Sequence, residues 1–81
     1  MDKNEIITRV NAIFQDVFDD DSIVIEPTTS AKDIIGWDSL THITLVGAIE
    51  DEFDIRFDMN EVPHMQNVSE MIDAIDHLVN N

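Results

Sequence analysis

Three stretches of the sequence place apolar residues at the spacing of an α-helix with one buried face. In each stretch the apolar positions recur mostly every three or four residues, which puts their side chains on one side of a helix. A chain of 81 residues with three such helices has room for only a small helical bundle. The three stripes are Ile6, Ile7, Val10, Ile13, Phe14 and Val17; Leu40, Ile43, Val46, Ile49 and Phe53; and Val68, Met71, Ile72, Ile75, Leu78 and Val79.

Polar residues mark the ends of the first two helices. Asp2 or Asn4 can cap the first helix, and the acidic run 19–21 ends it. Asp38 is a natural N-cap for a second helix from about Ser39 to Phe53. These signals separate the helices by a connection that is long for so small a domain.

The two connections differ in what they predict. The first has no helical period, and residues 23–25 predict a short extended segment before a turn at 27–30. In the second we expect one short helical turn around Met59 to Val62. Asn67, three residues before Glu70, then begins the last helix in an arrangement like a capping box. The sequence therefore predicts an all-α, small four-helix bundle, with three longer helices, a short third helix and a long first loop, in a single domain spanning 1–81.

Charge and composition narrow the function. The chain has 18 acidic and four basic residues, a net charge of −14, and no cysteine. Residues 38–81 contain ten acidic residues against one basic residue, Arg56. Such a surface repels nucleic acid and anionic lipid and favours basic protein patches, while the absence of cysteine excludes disulfides and thiolate metal sites. The polar start of the chain and its short apolar runs predict a cytoplasmic monomer without signal peptide or membrane insertion.

Hydrolytic and metal sites find little support. Ser39 and His42 are three residues apart and share a helix face, but no nucleophile elbow or oxyanion hole accompanies them, and we interpret His42 as an exposed bystander. The acidic run 19–21 lacks the glycine and glutamate of a calcium loop. His42, His64 and His77 are scattered. We therefore expect neither catalytic activity nor a metal site.

The run Asp38-Ser39-Leu40 is the best candidate for chemistry. Asp-Ser at a helix start is ordinary capping, and the tripeptide alone is weak evidence. Its setting adds to it, because a helix N-terminus has free amides and positive partial charge that suit a phosphodiester. The second helix also ends in the acidic run Glu50-Asp51-Glu52, which opposes the helix dipole and is better explained by a basic partner.

Taken together, these features resemble the acyl carrier protein family. The similarity lies in Gly36-Trp37-Asp38-Ser39-Leu40, in Ile43 through the run 50–55, in the loop from Thr28 to Gly36, and in the first and last helical stripes, so it covers essentially the whole chain.

The resemblance implies a carrier that catalyses nothing itself. A phosphopantetheinyl transferase would move 4'-phosphopantetheine from coenzyme A onto Ser39, and the arm would hold acyl groups as thioesters. In many members of the family the acyl chain is sheltered between helices. Asp38 and Leu40, together with Glu50 and Asp51, would help partners recognise the carrier. Those partners would be the transferase and acyl-loading and acyl-transfer enzymes with basic docking patches.

Two departures bear on the pathway. Thr41, His42 and Thr44 follow the serine where carriers of primary fatty acid synthesis tend to be acidic. Trp37 resembles carriers of specialised pathways, although it can equally be a packing residue. The pathway therefore stays open between fatty-acid, polyketide and other specialised biosynthesis. An aminoacyl (D-alanyl or peptidyl) carrier is an alternative, and an acidic interaction module without a prosthetic group is another.

Overall fold

Three α-helices and one short 3₁₀ turn make up the regular structure. A computed structural model describes residues 1–80, apart from the side chain of His64. Helix α1 spans Lys3–Val17, α2 spans Ser39–Phe53 and α3 spans Val68–Val79, and α1 packs against both of the others. The all-helical prediction is confirmed. The count of four helices is not confirmed, because the short third helix of the prediction is a single 3₁₀ turn, Val62–His64, that begins three residues later than the predicted turn at Met59.

The helix ends follow the capping residues of the sequence. Asp2 caps α1, with its carboxylate accepting a hydrogen bond of 2.8 Å from the Glu5 amide. Asn67 caps α3 in the same way, accepting 2.8 Å from the amide of Glu70. Since short polar side chains satisfy amides that a helix start leaves unpaired, these two ends were predictable from sequence alone.

All three helices contribute fully buried side chains to the core, with Leu45 and Ile49 coming from α2, and loop residues complete it. The stripes of α1 and α3 supply the other fully buried members. The buried residues of the two helices are Ile6, Val10, Phe14, Val68, Met71, Ile72 and Ile75. The predicted stripes of α1 and α3 are therefore confirmed at these positions, although Ile7, Ile13, Val17, Leu78 and Val79 are only partly buried.

The stripe predicted for α2 is wrong at its beginning. Leu40 and Ile43 are 78% and 65% exposed, whereas Leu45 and His42 are buried in their place. The reason is the spacing of the predicted stripe. Steps of three residues drift by about 60° each around a helix, so Leu40 lies about 180° away from the buried Ile49. Only the later positions of that stripe reach the core.

The first loop folds back onto the start of α3. Ile25 is buried, and its amide donates to Asn11 Oδ1 at 2.7 Å, while Val24 beside it is exposed. Further along, Ser30 and Asn67 form an isolated antiparallel bridge, with the Val68 amide donating to the carbonyl of Thr29 at 2.8 Å. In the extended segment predicted at 23–25, which pairs with no strand within residues 1–80, Ile25 is in the core, Ile23 packs against it and Val24 is exposed.

Candidate functional site

Ser39 is the first residue of α2, and its side chain is exposed. Asp38 caps the helix just before it. The Asp38 carboxylate accepts hydrogen bonds of 3.0 Å from the amides of Leu40 and Thr41. Among residues 1–80, neither the hydroxyl nor the amide of Ser39 has a hydrogen-bond partner. Because the capping carboxylate binds the amides of Leu40 and Thr41, the Ser39 amide is left as the free donor of this turn. A helix N-terminus without a cap offers more free amides than this.

Thr41 completes the cap. Its hydroxyl accepts from the Asp38 amide at 2.7 Å and donates to the carbonyl of Gly36. Hydrogen bonds from the backbone and then the hydroxyl of Thr41 hold the pKa of the Asp38 carboxyl below its usual value. Thr41 is half-buried, so its position is not the exposed one at which the sequence analysis expected an acidic residue.

The turn before Ser39 depends on a glycine. Gly36 has φ of +93°, a conformation that side chains with a Cβ rarely adopt. This turn directs Trp37 inward, where its ring meets Phe14 edge-on with centroids 5.2 Å apart. Trp37 is 7% exposed, so it is a packing residue.

His42 is buried, and the interpretation of an exposed bystander is wrong. Its Nδ1 accepts a hydrogen bond of 3.0 Å from the indole of Trp37, and its Nε2 lies 2.8 Å from the carbonyl of Val62. Indole can only donate and a carbonyl can only accept, so the ring proton is on Nε2. Both nitrogens are thereby occupied, and neither is paired with Ser39. No sequence pattern predicts these bonds, because Trp37 and His42 are five residues apart and Val62 belongs to another element.

Apolar side chains and a groove surround Ser39. Ile35, four residues before it, is fully exposed, as Leu40 and Ile43 largely are. A groove of about 440 Å³ begins at Asp38 and Ser39 and is lined mainly by apolar surface. Its other lining residues are Ala31, Trp37, His42, Ile43, Val62, Pro63 and Gln66. The exposed Ile35 and the groove are features that sequence reasoning missed.

The acidic run at the end of α2 has three different environments. Glu50 is half-buried and its carboxylate accepts from the Phe57 amide at 2.8 Å, which holds the following loop. Glu52 pairs with Arg9 at 3.4 Å. Asp51 is exposed and makes no hydrogen bond or ion pair within residues 1–80. It lies about 18 Å along the helix from Ser39, given the rise per residue.

A second groove lies beside Gly47 on α2. Gly47 lines a polar groove of about 410 Å³ with Glu50 and Arg56, so the space beside it lies on the outside of the helix, away from the core.

Within the described residues no three acidic or histidine side chains are grouped to hold a metal ion, and the side chain of His64 lies outside that description. In the same range no helix is long and apolar enough to cross a membrane.

Comparisons with known proteins agree with this geometry. The model of the phosphopantetheine attachment site family matches residues 8–75. An acyl carrier protein of Caulobacter vibrioides is 33% identical over 72 residues, 89% of this chain and 92% of the relative. The chain belongs to the acyl carrier protein family. An acyl carrier protein of Thermosynechococcus vestitus is 29% identical over 98% of both chains. The solution structure of a holo acyl carrier protein from Geobacter metallireducens has a TM-score of 0.85 and 39% identity, covering 91% of this chain and 85% of that one.

Membership of the family answers several questions together. Acyl carrier proteins are non-catalytic carriers, and their prosthetic group is a covalently attached 4'-phosphopantetheine. They interact with phosphopantetheinyl transferases and with biosynthetic enzymes. The resemblance drawn from the sequence and the expected prosthetic group are confirmed. Within this chain an exposed serine hydroxyl at the start of α2 fits such an attachment.

Proposed function

We propose that the chain is a single carrier domain that holds acyl intermediates as thioesters on a 4'-phosphopantetheine arm attached to Ser39. It presents them to the enzymes of a fatty-acid, polyketide or other specialised biosynthetic pathway. In the loading step the Ser39 oxygen forms a bond to the phosphorus of coenzyme A next to the pantetheine, and the adenosine bisphosphate half leaves. The transferase or solvent takes up the hydroxyl proton.

The observation that carries this proposal is the setting of Ser39 among the four serines. The hydroxyls of Ser22 and Ser30 each donate to a nearby aspartate. Ser39 and Ser69 are exposed near helix starts, and their hydroxyls have no partner within residues 1–80. Ser69 lines a groove of about 100 Å³, whereas Ser39 opens onto the apolar groove of about 440 Å³, where an attached arm has a larger surface to lie on.

Mass spectrometry tests the attachment. The purified protein is incubated with coenzyme A, magnesium and a broad-specificity phosphopantetheinyl transferase, and its intact mass is measured. We expect a gain of one phosphopantetheine in the unchanged protein and in Ser69→Ala, the matched control, and no gain in Ser39→Ala. A folded protein that gains nothing, or a Ser39→Ala variant that is still modified, would refute the proposal.

Recognition by partners is the second part of the proposal. Leu40 offers an exposed apolar side chain next to the arm, and Asp38 and Asp51 offer exposed carboxylates. Glu50 contributes negative charge while its carboxylate also binds the Phe57 amide. Basic patches on the enzymes would meet these charges in contacts that are fast, reversible and weakened by salt.

A further inference from the structure

The rings of Trp37 and His42 form the inner side of the groove beside Ser39. The outer lining of the groove includes Ile43 and Pro63, whereas the two rings are almost completely buried. An acyl chain on an arm at Ser39 can therefore lie in the groove without disturbing the bundle. To move from the groove into the core of the bundle, it must pass these two rings.

Two consecutive hydrogen bonds join the two rings to one backbone carbonyl, and we name this arrangement the His42 latch. It consists of the Trp37 indole, the His42 imidazole and the carbonyl of Val62, joined by bonds of 3.0 and 2.8 Å. The first bond ties the loop to α2, and the second spans from α2 to the turn that precedes α3. No buried side-chain nitrogen or oxygen among the described residues lacks a partner, so the latch is fully satisfied when closed.

Opening the latch has a cost that can be compared with the gain from burying cargo. Breaking the bond between His42 and Val62 leaves a donor and an acceptor unpaired in a part-buried position. The burial of roughly two to four methylene groups offsets that loss. Short or polar acyl groups cannot provide this much apolar area, whereas a longer alkyl chain can.

We propose that the His42 latch keeps short acyl groups in the groove and sets the chain length above which cargo passes the rings of Trp37 and His42 into the core of the bundle. This makes His42 a positioning residue that selects cargo by its apolar length. The inference rests on the proposed attachment to Ser39, which loading itself tests separately.

Acyl groups of increasing length provide the test. Acetyl, butanoyl, hexanoyl, octanoyl and decanoyl arms are transferred from the corresponding acyl-coenzyme A to the protein, and intact mass confirms each product. For every product the thermal midpoint and the NMR resonance of the Trp37 indole N–H are measured. A failure to load would refute the attachment at Ser39, and any loaded series then tests the latch independently.

In the unchanged protein we expect acetyl and butanoyl to leave both readouts at the values of the unacylated arm. Octanoyl and decanoyl should shift the indole resonance and raise the midpoint by about 4 °C or more. In His42→Leu, which removes the latch, butanoyl should already produce both effects. The matched control is His77→Leu, since His77 is exposed on α3, and it should keep the threshold of the unchanged protein.

Trp37→Phe is a second variant in case His42→Leu folds poorly. It removes the hydrogen bond from the indole to His42. Because it has no indole resonance, only its thermal midpoint is measured. This variant should lower the threshold by one or two steps of the series. The same dependence on length in the unchanged protein, His42→Leu and Trp37→Phe would overturn the inference. So would a rise that begins smoothly at acetyl, or no response at any length.

Discussion

Helices α2 and α3 are both rich in apolar residues, but they use them differently. In α3 the apolar side chains at 68, 71, 72 and 75 are all buried, and the charged residues lie on the outside. In α2 the first turn and a half has the opposite arrangement, because Leu40 and Ile43 are exposed while His42 is buried. Only from Leu45 onward does α2 bury its apolar side chains as α3 does.

This difference between α2 and α3 separates residues that stabilise the domain from residues that serve its function. Packing alone explains α3, since each buried side chain removes apolar surface from water. Packing does not explain two large apolar side chains left in water beside an exposed serine, or a buried imidazole that needs two partners. Departures from the simple pattern are expected where a surface serves function. Ile35, Leu40, His42 and Ile43 all lie within four residues of Ser39, whereas Val24 and Met59 are exposed singly in the loops.

The same truncation on both helices gives the largest expected effect. Ile75→Ala on α3 removes a fully buried side chain and should lower the free energy of unfolding by about 2–5 kcal/mol. Ile43→Ala on α2 removes a side chain that is 65% exposed and should change it by about 0.5 kcal/mol or less. Urea denaturation followed by circular dichroism measures both.

A milder pair protects this test from complete unfolding. Ile75→Val should still cost about 0.5–1.5 kcal/mol, and Ile43→Val should be neutral. Equal losses at the two positions would contradict the assignment of Ile43 to an exposed functional surface.

The sequence predicted α3 well and the first part of α2 badly for the same physical reason. Periodicity assumes that apolar side chains face the core, and this holds at Ile72 and Ile75 but fails at Ile43. Capping followed from local chemistry, so the starts of all three helices were predictable. The burial of His42 was not, because its partners Trp37 and Val62 come from a loop and a turn whose positions depend on tertiary packing.

The acidic residues of α2 and α3 extend the comparison of the two helices from stability to partner binding. Asp51 on α2 has no partner among residues 1–80, whereas Asp73 on α3 pairs with Lys3 at 3.1 Å. We expect Asp51→Lys to weaken binding to a transferase or loading enzyme by several-fold at low salt, with little effect once salt screens the contact. Asp73→Lys makes the same charge change on the other helix and should leave binding nearly unchanged.

Binding constants at two salt concentrations check this prediction, and circular dichroism confirms that both variants keep their helices. Glu50→Lys is less suitable, because it also removes the acceptor for the Phe57 amide. If Asp51→Lys and Asp73→Lys weaken binding equally, negative charge acts through the whole molecule, and the surface of α2 has no special role.

The two N-caps provide the smallest expected difference, which depends on pH. Asp38 caps α2 with a carboxylate and Asn67 caps α3 with an amide that does not titrate. The pKa of Asp38 is lowered from its ordinary value of 3.8, chiefly by the hydrogen bond from the Thr41 amide. The folded protein therefore binds fewer protons at this site than the unfolded chain. The stabilisation is complete above the ordinary value and is lost as the pH falls through the lower value of the folded state.

Acid should thus loosen the start of α2 before the start of α3. In an NMR titration the amide resonances of Leu40 and Thr41 should move as the pH falls below 3.8, with the Glu70 amide as the reference on α3. Asp38→Asn keeps a capping oxygen without the titration and should abolish this movement. A shift that persists in Asp38→Asn would assign the acid response to another carboxylate, such as Asp20, whose pKa is also lowered by its hydrogen bonds from Ser22.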